Sequence, residues 1–558
     1  MQLRNAFLVG VGIFSFAGCG EPPPSADIIF LNANVVTLNP LRPTAETVAV
    51  RDGAIVCVGS ALDCQAYHGS TTEAIDATGK TLVPGFADSH AHLMGIGLRE
   101  MTLNLAGVDS LGDLQSRVAE RTASVEPGEW ISGRGWIEAR WEPPAFPTRQ
   151  DLDAVSPENP VWLTRVDGHA GVANSAALRI AGIHERTASP EGGEIVRDAK
   201  GSPTGMLLDR AQELVTKHIP NPPPEARRQA LKMGAEYSAR MGWTQLSIAG
   251  AKWEEIAMLH ALLEDGELPI RTYAAVPGPG PEADRLLHIG VQSEDPRLVV
   301  RGIKVVMDGA LGSQGAALLA PYEDRAGSGI VMHQEDELAA MFDEALRRGI
   351  QVETHAIGDM ANRLTLDYYE RAFERVPRRD RLVVEPRWRV EHAQILSPED
   401  VPRFAKLDVI PSMQASHALT DLHFALRRLG PERLKGAYAW RSLVDSGVVI
   451  AGGSDAPVEK GDPIIEFYAA AVRKDLDGGA GEHWHREERL EREEALKMLT
   501  AWAAYATFQE NQRGTIEVGK WGDLTLLSQD ILTVPEEEIL NTKIDLTVVN
   551  GQIVYRSR

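Results

Sequence analysis

Apolar runs of four to eight residues alternate with amphipathic stretches through the middle of the chain. The first run ends at His92, and seven follow at Trp243–Ala249, Arg271–Val276, Gly302–Met307, Gln351–His355, Arg387–His392, Asp408–Ser412 and Val448–Gly453. Helical patterns occupy Pro224–Met241, Trp253–Leu263, Glu335–Arg348, Met360–Arg375 and Glu399–Leu407. Eight strands with intervening helices predict an α/β fold, a TIM (β/α)8 barrel over residues 81–512.

The two ends of the chain have a different pattern of apolar and polar residues. Short apolar runs broken by turn residues fill residues 27–80, including the hairpin signal Asp52-Gly53, and residues 513–558 repeat the pattern with Asn550-Gly551. Each segment is too small to bury a core alone. We therefore expect one small β-sandwich domain built from both chain ends, with the barrel inserted between its halves.

A long stretch, residues 109–221, separates the first and second predicted barrel strands. It is too ordered in pattern to be a linker, and it leaves the barrel at the carboxyl end of a strand, so it predicts a cap over the active site. Trp136 and Arg165 are candidates to line a substrate pocket beneath this cap. The alternative is that such residues build a local core within the insertion.

The N-terminus has the features of a secretory signal. Arg4 precedes an apolar run that is too short to span a bilayer, and small residues precede Cys19 in a pattern that resembles a bacterial lipobox. This predicts a signal peptide over 1–19, lipidation of Cys19, a Pro-rich tether over 20–26 and an extracytoplasmic protein, in the periplasm or cell envelope. An ordinary cleaved signal peptide is the alternative.

Composition and charge narrow the classes of partner. The chain is 43% hydrophobic and 24% charged, as in folded proteins, and its net charge of -22 argues against binding nucleic acid or an anionic membrane surface. Membrane attachment would then come only from the lipid on Cys19. Helices around the barrel could support a homodimer, and Cys57 and Cys64 could pair in an oxidising compartment, although spacing alone does not decide this.

Metal-ligating side chains stand at the predicted strand ends. His90 and His92 are one residue apart on a strand, so both imidazoles share one face. Lys304 lies within the fourth predicted strand, His355 and His392 end the fifth and sixth, and Asp455 follows the eighth. Because the carboxyl ends of barrel strands meet at one mouth, this set predicts a metal site there.

Several motifs carry a resemblance to a known family. They are 84-PGFADSHAH-92, 355-HAIGD-359, 391-EHAQ-394 and 453-GSDAP-457, with 302-GIK-304, 167-DGH-169 and 547-TVVNG-551. Together they resemble the metal-dependent amidohydrolase superfamily, in the branch similar to N-substituted formamide deformylase. The resemblance covers nearly the whole chain after residue 26.

The resemblance implies roles for individual residues. His90 and His92 would bind one divalent metal ion, and His355 and His392 a second, with zinc the expected metal. Lys304 matches a position that carries a carboxylated lysine in many relatives; a single ion beside unmodified Lys304 is the alternative. Asp455 would hold the attacking water as general base, while the metal and a neighbouring donor, either His355, His392 or a cap residue, would stabilise the oxyanion. His169 and Gln414 are candidate contacts to a small-molecule substrate.

The expected reaction is hydrolysis of a non-peptide C–N bond, such as that of an N-acyl or N-formyl amine. Zinc lowers the pKa of bound water and polarises the scissile carbonyl, which suits this chemistry. Deamination and the hydrolysis of cyclic amides or esters are alternatives, because the fold does not fix the substrate. A non-catalytic, solute-binding lipoprotein is a remote alternative.

Overall fold

The computed structural model describes residues 25–138, 141–165, 168, 170–190, 193–479 and 484–558. The predicted signal peptide, most of the predicted tether and Cys19 lie outside this part of the chain, as does His169. No helix of the described residues is long and apolar enough to cross a bilayer.

Eight parallel strands form a nearly closed barrel, as the sequence predicts. We number them in chain order: β1 Phe86–Ala91, β2 Trp243–Ala249, β3 Arg271–Pro277, β4 Leu298–Val306, β5 Gln351–Ala356, β6 Arg389–His392, β7 Ile410–Gln414 and β8 Ala451–Gly453. Neighbours pair in this order from β1 to β8. Their apolar character follows from burial on both faces, inside the barrel and beneath the helices.

The first and last strands of the barrel, β1 and β8, approach each other at their carboxyl ends. The backbone N–H of Asp455, just after β8, donates to the carbonyl of His90 in β1 at 2.7 Å. Gly453 permits this approach, because a Cβ atom there would lie 2.6 Å from the backbone nitrogen of His90. The contact between β1 and β8 therefore places two candidate metal ligands, His90 and Asp455, side by side.

The outer layer consists of helices between and after the strands. They are Leu93–Met101, Pro224–Arg240, Trp253–Glu264, Pro281–Ile289, Glu335–Arg348, Asp359–Arg375, Val401–Leu407, His417–Asp421, Ala425–Leu434, Trp440–Asp445, Pro463–Val472, Arg492–Met498 and Ala501–Ala506. The helix Glu335–Arg348 shows why these segments are helical. It has a capping box at Gln334, acidic residues in its first turn, basic residues in its last turn, and a left-handed Gly349 at its end.

The two chain ends interlock in a pair of sheets beside the barrel. One sheet has the strand order Ala54–Gly59, Thr47–Arg51, Ile28–Leu31, Glu73–Asp76, and the other the order Gln552–Arg556, Ile544–Val549, Leu524–Leu527, Thr81–Pro84, Asn34–Val36, Thr44–Ala45. An apolar core that includes Phe30, Val48 and Val548 joins them. The buried Arg271 of β3 pairs with Asp523 at 2.7 Å and ties the barrel to these sheets.

One predicted strand is divided in the structure. The run from Leu82 to His92 forms two strands, Thr81–Pro84 in the terminal sheets and β1 in the barrel. Gly85 lies between them, where a Cβ atom would come within 2.4 Å of the Thr244 side chain. The barrel therefore begins at Phe86 rather than at residue 81.

The insertion after β1 has its own sheet. Its strand order is Gly193–Arg197, Pro203–Asp209, Ala170–Ala173, Val161–Arg165, Ile131–Trp136, Leu103–Asn104. Helices at Leu111–Thr122, Arg149–Asp153, Ser175–Ile180 and Glu213–Thr216 accompany it. Two apolar clusters, one containing Trp136 and the other Trp162, pack between these elements.

Cys57 and Cys64 form a disulfide, with their Cα atoms 5.7 Å apart. Cys57 belongs to the strand Ala54–Gly59, and Cys64 ends the short helix Ala61–Cys64 that follows. Both are buried in a small cluster with Ile29 and Ala49. The bridge therefore pins this helix to the first terminal sheet.

Candidate active site

Polar side chains from the strand ends line one cavity of about 610 Å³ at the mouth of the barrel. All six predicted metal-site residues belong to its lining: His90, His92, Lys304, His355, His392 and Asp455. His90 lies in β1 and His92 directly follows it, Lys304, His355 and His392 lie in β4, β5 and β6, and Asp455 follows β8. The topology thus gathers groups that are up to 365 residues apart in the sequence, as counted from His90 to Asp455.

His90, His392 and Asp455 form the tightest group, with one ligand atom of each lying within 4.8 Å of the others. All three are buried. His92 adjoins this group, because its Nε2 atom lies 3.0 Å from Asp455 Oδ1. Two imidazole nitrogens and a carboxylate oxygen at this spacing suit a zinc-like ion.

The other two predicted ligands extend the group along the cavity. The ring of His355 lies 4.5 Å from that of His392, centroid to centroid. Lys304 Nζ lies 3.4 Å from His90 Nε2. These positions leave room for one ion between His90, His392 and Asp455, and for a second group of donors beside it.

Hydrogen bonds on the far side of two imidazoles fix which nitrogen faces the cavity. His90 Nδ1 lies 2.5 Å from Glu391 Oε2, and His392 Nδ1 lies 2.7 Å from Gln414 Oε1. Both oxygens are acceptors, so Nδ1 carries the proton in each ring and Nε2 keeps its lone pair. Such partners orient metal-binding histidines.

Burial sets the protonation of these groups. It lowers the pKa of His90 to about 4, aided by the charge of Lys304, and it lowers the pKa of His392 well below its usual value. Burial also lowers the pKa of Lys304. For Asp455, burial opposes ionisation, but the hydrogen bond from His92 and the neighbouring imidazoles hold its pKa below the usual range. Neutral imidazoles beside an ionised carboxylate are suitable metal donors.

A buried charge network supports His90 from inside the barrel. Arg389 pairs with Glu353 at 2.5 Å and with Glu391 at 2.8 Å, and all three side chains are inaccessible to solvent. Burial raises the pKa of Glu353 to about 7 although Arg389 opposes this. For Glu391, Arg389 and His90 outweigh burial and lower the pKa. Glu391 is therefore an ionised acceptor for His90.

Asp88 and Asp308 hold the ligand-bearing segments in place. Asp88 Oδ1 accepts from the backbone N–H of His90 at 3.0 Å and of Ser454 at 2.9 Å. Asp308 accepts from the N–H groups of Ile357 and Gly358, and its Oδ1 lies 3.4 Å from His355 Nε2. Asp88 lies within the motif 84-PGFADSHAH-92, but the spacing of the two carboxylates along the chain gave no indication of these contacts.

Three predicted substrate contacts have other positions. Trp136 is fully buried in the core of the insertion, where its Nε1 donates to the Leu163 carbonyl. Arg165 is paired with Glu138 at 2.8 Å within the same insertion, and neither residue lines the cavity. Gln414 is buried behind His392 and orients that ligand instead of meeting substrate. Trp136 and Arg165 thus form contacts within the insertion's own structure, as the alternative for the insertion supposed.

Other cavity residues were not singled out as site residues from the sequence. His417 stacks on His392, with centroids 5.7 Å apart, and its Nε2 lies 3.5 Å from Asp455 Oδ2. Asp421 and Glu459 also line the cavity. His417 and Asp421 are the two ends of the five-residue helix after β7, and Glu459 lies in the loop after β8, so these segments are too short for a periodic pattern to mark them.

Comparisons with known proteins agree with this geometry. The model of the Amidohydrolase family matches residues 73–555. The putative amidohydrolase YtcJ of Bacillus subtilis is 34% identical over 91% of this chain and 96% of its own length. The N-substituted formamide deformylase of Arthrobacter pascens is 28% identical over 95% of this chain and 98% of its own. A metal-dependent hydrolase from Pyrococcus furiosus, solved as a crystal structure, superposes with a TM-score of 0.72 at 27% identity, covering 91% of this chain and all of that one.

The chain belongs to the Amidohydrolase family, as the strand-end motifs predict. It is a hydrolase of carbon–nitrogen bonds other than peptide bonds, in a superfamily of metal-dependent enzymes. The donor set fits such a metal on its own chemistry, because His90, His392 and Asp455 converge and the two imidazoles turn their hydrogen-bonded Nδ1 atoms away.

Proposed function

We propose that the enzyme hydrolyses an N-formyl or other N-acyl amine to a carboxylic acid and a free amine. The observation that carries this proposal is the position of Asp455. Its carboxylate lies between His90, His92 and His417 at the mouth of the barrel, at 3.7, 3.0 and 3.5 Å from their Nε2 atoms. The relationship to N-substituted formamide deformylase over nearly the whole chain supports this class of substrate.

The expected metal is zinc, which His90, His92, His392 and Asp455 would hold, and His355 and Lys304 would be ligands of a second ion. When bound, zinc supplies Lewis-acid activation of water and of the scissile carbonyl. Lys304 can serve as a ligand only after carboxylation, since an ammonium group offers no lone pair. Its lowered pKa favours the neutral amine that reacts with carbon dioxide.

Asp455 is the general base. It accepts a proton from the attacking water and delivers it to the leaving nitrogen, which departs as the amine. His355 lines the same cavity and stabilises the negative charge that develops on the carbonyl oxygen, whereas His392, whose Nδ1 proton is donated to Gln414, would contribute by holding the ion. The buried partners Glu391 and Gln414 keep the imidazoles of His90 and His392 aligned during these steps.

The protein acts outside the cytoplasm, attached through lipid on Cys19 after removal of the signal peptide. The Cys57–Cys64 disulfide supports this location, because such bonds persist in oxidising compartments and are rare in the cytosol.

A substrate panel tests the proposed reaction. The purified enzyme, loaded with zinc, is given N-alkylformamides, N-acetyl amines, heterocyclic amines, cyclic amides and simple esters. Release of primary amine from the acylated amines is the expected result. Ammonia from the heterocyclic amines, or turnover confined to cyclic amides or esters, would contradict the proposal. Intact mass under non-denaturing conditions tests Lys304, for which a gain of one carbon dioxide is expected and an unchanged mass would exclude carboxylation.

A further inference from the structure

One wall of the active-site cavity carries two carboxylates that the proposed reaction does not use. Asp421 ends the helix His417–Asp421, which follows β7, and Glu459 lies four residues beyond Asp455. Both side chains line the cavity and are partly exposed to it. The wall therefore lies beside the metal ligands without being part of them.

The Asp421 carboxylate is held firmly, and its hydrogen bonds are all on one side. Gln394 Nε2 donates to Oδ2 at 2.5 Å, and the Tyr438 hydroxyl donates to the same oxygen. Within the described chain, no protein donor reaches Oδ1. A rigid carboxylate with one open oxygen is a binding group for a hydrogen-bond donor on a ligand.

Glu459 adds a second acceptor close by. Its Oε1 accepts from the Thr420 hydroxyl at 2.8 Å, and Thr420 immediately precedes Asp421. In the described part of the chain, neither carboxylate forms an ion pair with a lysine or arginine. Apart from Lys304 and the histidines, the described residues that line the cavity bring no cationic side chain. The negative charge of this wall is thus open to a ligand.

Apolar groups complete the surroundings of the two carboxylates. Phe424, Leu311 and Val458 line the same cavity, together with Pro277 and Ile357. This combination suits an aliphatic chain that ends in a positive charge. Burial raises the pKa of Asp421 to about 6 although His417 and the hydrogen bond from Tyr438 oppose it, so the carboxylate is mostly ionised at pH 8.

We propose that the acidic wall formed by Asp421 and Glu459 selects substrates whose amine portion bears a second, protonated nitrogen, namely mono-N-acylated diamines. This inference rests on the proposed function for the acyl group and adds the class of amine. The metal site takes the amide, the apolar groups contact the methylene chain, and the wall binds the distal ammonium group. A hydrogen bond between charged groups of this kind raises the affinity for the charged substrate about tenfold or more over that for its neutral isostere.

The test compares matched substrates at pH 8. N-formyl-α,ω-diaminoalkanes with two to five carbons are each set against the N-alkylformamide in which a methyl group replaces the ammonium group. For at least one chain length, we expect kcat/KM to be at least tenfold higher for the cationic member. Equal or lower values for the cationic member at every length would overturn the inference.

Variants show whether the two carboxylates cause the preference. Asp421→Asn keeps the size of the side chain and an oxygen for Gln394 and Tyr438, and Glu459→Gln is the second variant. We expect each to reduce the cationic-to-neutral ratio of kcat/KM severalfold, with the double variant near unity. Glu432→Gln, at an exposed carboxylate paired with Lys435, is the matched control and should keep the wild-type ratio. A wild-type ratio in the double variant would overturn the inference.

Direct binding separates this inference from the proposed reaction. Calorimetric titration of the zinc-loaded wild-type enzyme with free α,ω-diaminoalkanes and with matched monoamines needs no turnover. Tighter binding of the diamines, lost in the double variant, would support the acidic wall even if no formamide were hydrolysed. Equal affinity of the wild type for diamines and monoamines would overturn the inference about the acidic wall. The proposed formamide hydrolysis would still be tested separately by the substrate panel.

Discussion

His90 and Glu391 form a buried hydrogen bond across the inside of the barrel, with 2.5 Å between Nδ1 and Oε2. The two residues are separated by 301 positions in the sequence and come from β1 and β6. Because an ionised carboxylate only accepts, this contact fixes the tautomer of His90 and turns its Nε2 toward the cavity.

Glu391→Gln should therefore weaken metal binding. An amide is a poorer acceptor and can present its NH2 group to His90, so we expect a 10- to 100-fold loss of zinc affinity, as is typical for removed partners of metal ligands. Competition with a chromophoric chelator measures it. Glu399→Gln, at an exposed carboxylate, is the control, and unchanged zinc affinity in Glu391→Gln would contradict the orienting role.

Asp455→Asn should separate catalysis from metal retention. The amide cannot accept the proton of the attacking water, so we expect kcat to fall about 10²- to 10⁴-fold, the usual contribution of general acid–base catalysis. The histidines remain, so most of the metal should stay bound. Rate measurements and elemental analysis on one preparation check both. Near-wild-type turnover in this variant would show that Asp455 is not the base.

Loss of the Cys57–Cys64 bond should destabilise the terminal sheets. The bridge closes a short loop, with a sequence separation of 7. Its removal should cost roughly 2 to 3 kcal/mol by the chain-entropy relation. Thermal unfolding of a Cys57→Ala/Cys64→Ala variant, against the wild type with and without reductant, measures the loss. Two free thiols in the unreduced, denatured protein produced from residue 20 onward would instead show that the bond does not form.

Asp523→Asn should loosen the junction between barrel and terminal sheets. Asp523 pairs with Arg271 through two contacts of 2.7 and 3.1 Å, and both side chains are 1% exposed. Breaking a buried pair leaves an uncompensated charge and costs about 3 to 5 kcal/mol. Denaturant unfolding should show this loss, whereas Glu385→Gln, in an exposed pair with Arg378, should cost about 1 kcal/mol or less. Equal, small effects would contradict the account of this junction.

The barrel could be predicted from the sequence because its strands are continuous apolar runs that end in polar residues. All eight runs became barrel strands, and the shared mouth of a parallel barrel explains why His90, His355, His392 and Asp455 line one cavity. The division at Gly85 escaped prediction, because Leu82–Val83–Pro84 and Phe86–Ala87 are equally apolar on both sides of the break.

The roles of individual polar residues depended on packing that periodicity does not encode. Trp136 and Arg165 are residue types that often line substrate pockets, but both pack within the insertion's own structure. Gln414 ends β7, and only its distance to His392 Nδ1 shows that it faces a ligand. Asp421 lines the cavity because the helix after β7 turns it toward the barrel mouth, and the sequence pattern does not encode this turn.

Metal content tests the central claim most directly. The enzyme is purified without chelator, its divalent metals are measured by elemental analysis, and formamide hydrolysis is followed as the metal is removed and zinc is returned. We predict at least one ion per chain, loss of hydrolysis with the metal, and recovery with zinc. An enzyme that holds no metal, takes up none from added zinc and hydrolyses formamides unchanged would contradict the account.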